Sequence, residues 1–100
     1  MIRGTTPTHV FTLPFDTDLV KKVKVIYAQD DEIIVTKESA ACECAGNVVT
    51  VKLTQEETLK FNCKKSVQIQ MRILTKGGDA LASEIKLVDV EKCLESEVLV

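Results

Sequence analysis

The chain has no tryptophan, a single histidine, two prolines and four glycines, and its only aromatic residues are Phe11, Phe15, Tyr27 and Phe61. With so few rings, the core must come mainly from Val, Ile and Leu, a palette that favours strands. There is no internal repeat and no low-complexity linker. Charge of one sign is also missing: 13 basic residues face 15 acidic ones, for a net charge of −2. That balance lacks the basic field of a nucleic-acid binder. The opening "MIRGTTPTHV" holds no apolar run of signal-peptide length, and no segment approaches a membrane span. Residence in the cytosol of the producing cell is the expectation, with thiols kept reduced.

What is present is enough for one core. A chain of 100 residues with 45% apolar content reads as a single domain over residues 1–100. It buries about 60–70% of its unfolded surface.

The apolar pattern has a period of two along most of its length. "THVFTLPF" alternates between Pro7 and Pro14, which mark an edge strand of limited length. "KKVKVIYAQ" puts Val23, Val25 and Tyr27 on one face and Lys22 and Lys24 on the other. "DDE" interrupts and "IIVTK" resumes, predicting a hairpin around Asp30 and Asp31. After a loop containing Cys42 and Cys44, the turn signal Gly46-Asn47 leads into alternating Val49, Val51 and Leu53. "SVQIQMRIL" is the cleanest strand, with Val67, Ile69, Met71 and Ile73 inward. "KGGD" then turns the chain, and "ALASEIKLVDVEK" returns with a change of parity that a β-bulge near residues 86 to 88 would reconcile. The single helical candidate is "TQEETLKF", where Thr54 and Glu57 form a capping-box pattern. Such a turn would carry the chain between sheets, with Leu59 or Phe61 as its anchor. About six strands and one helical turn predict an all-β, antiparallel β-sandwich, with a small β-barrel as the alternative.

The four cysteines are the first place to look for chemistry. If Ile69 lies opposite Leu87 and Met71 opposite Ile85, the same register brings Cys63 opposite Cys93, displaced by one residue if the bulge intervenes, predicting neighbouring, mostly buried thiols. Free thiols are expected there, with a disulfide or a four-cysteine zinc site as the alternatives. The one-residue gap between Cys42 and Cys44 and the thirty between Cys63 and Cys93 fit zinc poorly.

His9 has no nucleophile or carboxylate partner suggested by the sequence. "DDE" lacks the spaced ligands and glycine of a calcium loop and reads as a solvated turn. The lysines at 21, 22, 24, 64 and 65 read as edges kept soluble. No Gly-rich strand-to-helix passage offers a phosphate site. Catalytic, cofactor-binding and metal-binding residues are therefore expected to be none. Residues 94–100 end in Val98, Leu99 and Val100, an apolar terminus that predicts either packing on its own sandwich or docking as an extending tail on a neighbouring subunit. These three are the candidate assembly contacts.

Three stretches, "IRGTTPTHVFTLPFD", "VKLTQEETLKF" and "VQIQMRILTKGGDALAS", in this order and spacing, resemble small proteins encoded in the tail modules of bacteriophages and prophages. They are also similar to the N-terminal domain of phage baseplate upper proteins. The likeness runs from Ile2 to about Lys92. It implies an immunoglobulin-like sandwich and a non-enzymatic structural or accessory role in the virion. It brings no catalytic or ligand motif. The sequence stops at Val100, where a baseplate upper protein would continue, so a free-standing accessory protein is expected. Its partners would be other tail proteins or copies of itself, with no nucleic acid and no membrane. It would reside in the bacterial cytoplasm before assembly and in the virion afterwards. The alternative is a phage-encoded intracellular binding module aimed at a host protein.

Overall fold

Runs of branched residues with alternating polarity build two sheets, and the computed structural model, which describes residues 1–100, packs them face to face. The strands are β1 (Thr8–Thr12), β2 (Val20–Gln29), β3 (Glu32–Glu38), β4 (Cys42–Ala45), β5 (Val48–Lys52), β6 (Val67–Thr75), β7 (Ala80–Ala82) and β8 (Lys86–Val88). One sheet has the order β1-β5-β4. The other runs β3-β2-β6-β7, with β8 also paired to β6. Every strand pair within the sheets is antiparallel. The sheets stay separate with open edges, so the barrel alternative is excluded.

The inward faces follow the alternation. Val23, Val25 and Tyr27 of β2, Val49 and Val51 of β5, and Val67, Ile69, Met71 and Ile73 of β6 are all buried. With Leu53 and Phe61 they belong to one core cluster. The β2–β3 hairpin turns through Asp30 and Asp31, both with positive φ (49° and 63°). Two such residues in succession match the right-handed twist of the flanking strands, and Asp tolerates the conformation better than most.

A short helix, α1 (Gln55–Leu59), carries the chain from β5 in one sheet toward β6 in the other. Its capping box is complete: the Glu57 N–H donates to Thr54 Oγ1 at 3.1 Å, and the Thr54 N–H donates to Glu57 Oε1 at 2.8 Å. Phe61, rather than the half-buried Leu59, anchors the crossing in the core. Thr58 is fully buried, and its hydroxyl both donates to the Thr5 carbonyl and accepts from the Gly4 N–H.

Three expectations need correction. The segment with Cys42 and Cys44 is strand β4, not a loop, so the sheets hold eight strands rather than six. The irregularity on the return from β6 lies at Ser83–Ile85, upstream of residues 86 to 88. Ser83 inserts itself beside Met71, donating its N–H to the Met71 carbonyl and accepting the Met71 N–H on its hydroxyl. The extra residue shifts the ladder to Ile69↔Lys86, Gln68↔Leu87 and Val67↔Val88, one position from the expected register. Parity flips accordingly: Ile85 and Leu87 face solvent, and Val90 is buried.

Candidate functional site

The histidine on β1 is where the two sheets exchange polar contacts. His9 and Cys42 lie on either side of Val51, the residue both are paired with, so all three share the inward face of the small sheet. Tyr27 reaches across from β2, and its hydroxyl and His9 Nδ1 share a hydrogen bond of 2.7 Å. Beneath it, the Tyr27 and Phe61 rings lie 6.2 Å apart. At the β3 edge, Lys37 also points inward and donates to both Glu57 carboxylate oxygens, at 2.8 and 3.0 Å. The Lys37 and Glu57 side chains keep only 12% and 20% of their exposure.

Burial sets the chemistry of this cluster. It lowers the pKa of His9, with the N-terminal charge adding to the effect, and so favours the neutral imidazole. Burial likewise raises Tyr27, with Cys42 and Glu57 adding to it. It raises Cys42 too, reinforced by Cys44 and opposed by Lys37. A thiol held in its protonated form is a poor nucleophile, and Nδ1 of the imidazole is occupied by the Tyr27 hydroxyl. The arrangement suits cohesion between the sheets.

The His9 contribution has a definite pH sign. Its folded pKa lies below the ordinary 6.5, so the unfolded chain binds more protons between the two values. Stability should be complete above pH 6.5 and decline as pH falls through 6.5 toward the folded value. Thermal melts from about pH 7.5 to about pH 5 should show this slope, and His9→Asn should flatten it. An equal slope in the variant would contradict the assignment.

The other residues singled out in the sequence lie outside this cluster. Cys63 is exposed in the turn before β6, contrary to the expected burial, and Cys93 is half-buried in the terminal segment. The β6–β8 ladder ends at Val67 and Val88, short of both thiols, with its register displaced by one residue, as an irregularity on the return strand implies. All four cysteines are free thiols. In the tail, the Leu99 N–H donates to Gln55 Oε1 at 2.8 Å, and Gln55 Nε2 donates to the Leu99 carbonyl at 3.0 Å. Val98 is half-buried in a shallow groove beside Thr54 and Gln55. Leu94, Leu99 and Val100 remain exposed.

The surface that sequence reasoning missed is the outer face of the larger sheet. Ile26, Ala28 and Leu74 lie within it, and Ile33, Ile85 and Leu87 project from one end, 53–68% exposed. The opposite end is a hollow bordered by Lys22, Lys24 and Arg72 and floored by Leu74 and Ala80. A signal was available: Val25–Ala28 and Ile33–Val35 are continuous apolar runs rather than strict alternations. Such runs mark strands with both faces apolar.

No family model matches the chain, and no curated protein matches it. Among solved structures it is similar to the immunoglobulin-like domain of mouse leukocyte-associated immunoglobulin-like receptor 1, crystallised as a strand-swapped dimer. The likeness covers 92% of this chain and 85% of that one, at 15% identity and a TM-score of 0.55. The fold is immunoglobulin-like. In the lettering of that fold, β1, β5 and β4 correspond to strands B, E and D, while β3, β2, β6 and β7/β8 correspond to C′, C, F and G. Tyr27 is a buried ring on the C strand, the strand that carries a buried Trp in antibody domains, and His9 stands on the B strand. None of the four cysteines lies on the B or F strand, where the antibody disulfide is placed.

Proposed function

We propose that this immunoglobulin-like chain is a non-enzymatic structural or accessory protein of the tail or baseplate region of a bacteriophage or prophage, acting through protein–protein assembly. The observation that carries the assembly reading is the outer face of the larger sheet, where Ile33, Ile85 and Leu87 stand in solvent. Grouped apolar residues of this kind mark interaction surfaces. The phage setting rests on the resemblance from Ile2 to about Lys92. The cluster around His9 supports the non-enzymatic part, since burial quiets its thiol and the His9–Tyr27 hydrogen bond joins the two sheets. Leu99 and Val100, uncovered beyond the Gln55 contact, add a second assembly contact at the terminus.

Mass spectrometry of purified particles should find the chain in stoichiometric amount. Its absence from intact particles would overturn the virion role, and recovery with a bacterial protein instead would support the intracellular binding module.

A further inference from the structure

The outer face of the larger sheet is uneven in both shape and charge. At the β2–β3 turn end, Ile33, Ile85 and Leu87 project, and Asp30, Asp31 and Glu32 crowd the turn. Lys65 is paired with Asp30 at 2.8 Å, while Asp31 holds Gln68. At the other end, Lys22, Lys24 and Arg72 border the hollow, and Ala80 and Ala82 line the outer strand where larger side chains would fill it. Glu38 lies 3.7 Å from Lys24 and offsets only part of that positive charge. Projections and acid at one end face a hollow and base at the other.

We infer that this face pairs with the same face of a second copy, forming an isologous dimer about a two-fold axis that lies in the interface and crosses the strands at the level of Val25 and Met71. The inference rests on the assembly reading and names its surface. A face-to-face dimer needs its two-fold axis in the plane between the sheets. Two orientations of that axis keep the strands of the two copies aligned, the common arrangement for packed sheets. An axis parallel to the strands lays Lys22, Lys24 and Arg72 against their own copies, which like-charge repulsion disfavours. An axis across the strands reverses them. It sets Ile85 and Leu87 of one copy over Ala80 and Ala82 of the other, and the acidic turn over the basic rim.

The area is sufficient. The face is four strands wide and, along the ten-residue β2, spans about 19 by 33 Å at ordinary strand spacing and rise. That is roughly 600 Å² per copy, or about 1,200 Å² in total, at the lower limit for a specific interface. A dimer held this way should be reversible and salt-sensitive.

Sedimentation of the full-length chain at increasing concentration tests the inference. The wild type should dimerise, and Leu87→Glu and Ile33→Glu should each weaken the dimer at least about tenfold with unchanged circular dichroism and melting temperature, because both side chains are exposed. Lys22→Glu and Glu32→Lys should each weaken it, and the double variant should regain most of the loss. A wild type that stays monomeric at high concentration, or a dimer indifferent to Leu87→Glu and Ile33→Glu, would overturn the surface. Failure of the charge exchange to restore association would overturn the axis. None of these outcomes touches particle composition, so a monomer found in virions would sink this interface while leaving the virion role standing.

Discussion

Phe61→Ala is expected to lower folding stability by about 3–5 kcal/mol, the usual range for deleting a fully buried ring. Phe61 is 1% exposed, lies 6.2 Å from the Tyr27 ring, and follows the helix that links the sheets. Two costs add at this position: lost transfer energy, and a cavity that neighbours held by strand pairing cannot collapse to fill. Domains of this size are typically stable by about 5–15 kcal/mol, so the variant should sit near its unfolding midpoint at modest denaturant. Equilibrium urea unfolding gives the number directly, with the slope expected to match wild type. A loss below about 1 kcal/mol would mean that the ring is not the anchor.

The second large effect belongs to Glu57. Its carboxylate closes the capping box on the Thr54 N–H and accepts both hydrogen bonds from Lys37. Glu57→Ala breaks both and strands the Lys37 ammonium, whose side chain is 12% exposed. Removing one member of a buried pair costs about 3–5 kcal/mol. The residual exposure of this pair places the expectation at the lower end, roughly 3 kcal/mol. Replacing both partners by methionine should recover much of that loss, because no charge is then left without its partner. A double variant no better than Glu57→Ala would show that the cap, not the stranded lysine, dominates.

The same residue carries an acid signature. Burial is the largest single influence on Glu57 and pushes its carboxyl up, but hydrogen bonds from Lys37 and Thr54 together bring it below the ordinary 4.5. A depressed folded pKa means that the contribution is whole above pH 4.5 and lost as pH falls through the folded value. This loss begins near pH 4.5, whereas the one assigned to His9 begins near 6.5, and the His9→Asn and Glu57→Ala variants separate the two in a single pH series.

Much of the fold was legible because the inward strand faces are made of branched residues in strict alternation. Val23, Val25 and Tyr27 marked β2, Val67 through Ile73 marked β6, and Thr54 with Glu57 marked the helix start. Strand β4 was hidden because Cys42–Ala45 contains no β-branched residue and is extended only by pairing with β5. Gln29 was hidden for a different reason. It is 5% exposed, and its amide bonds the Asn62 and Lys65 carbonyls and the Asn62 N–H. A polar residue that satisfies a distant turn looks, in sequence, like any strand end. The register after β6 depended on one serine whose hydroxyl and backbone both bond Met71, and alternation cannot count an inserted residue. Of the candidate surfaces, the apolar terminus was visible as a run of letters. The outer sheet face was signalled only by the apolar runs of β2 and β3, because it draws its residues from five separate strands.

Lys37 has a bearing on what happens when the chain is not folded. Strand β3 is an outer strand, and its sequence from Glu32 to Glu38 encloses Ile33, Ile34, Val35 and Thr36. A short, uncharged, β-prone window of that kind is the type of segment that stacks with copies of itself into fibrils. The window is flanked by Glu32 on one side and by Lys37 and Glu38 on the other. A stack in register would bring each of those charges against its own copy, a repulsion that grows with every chain added. In the native sandwich Glu57 neutralises Lys37 and lets the strand lie at the edge. On a nascent or heat-opened chain that partner is gone, and the lysine becomes a gatekeeper that biases the segment toward refolding over aggregation.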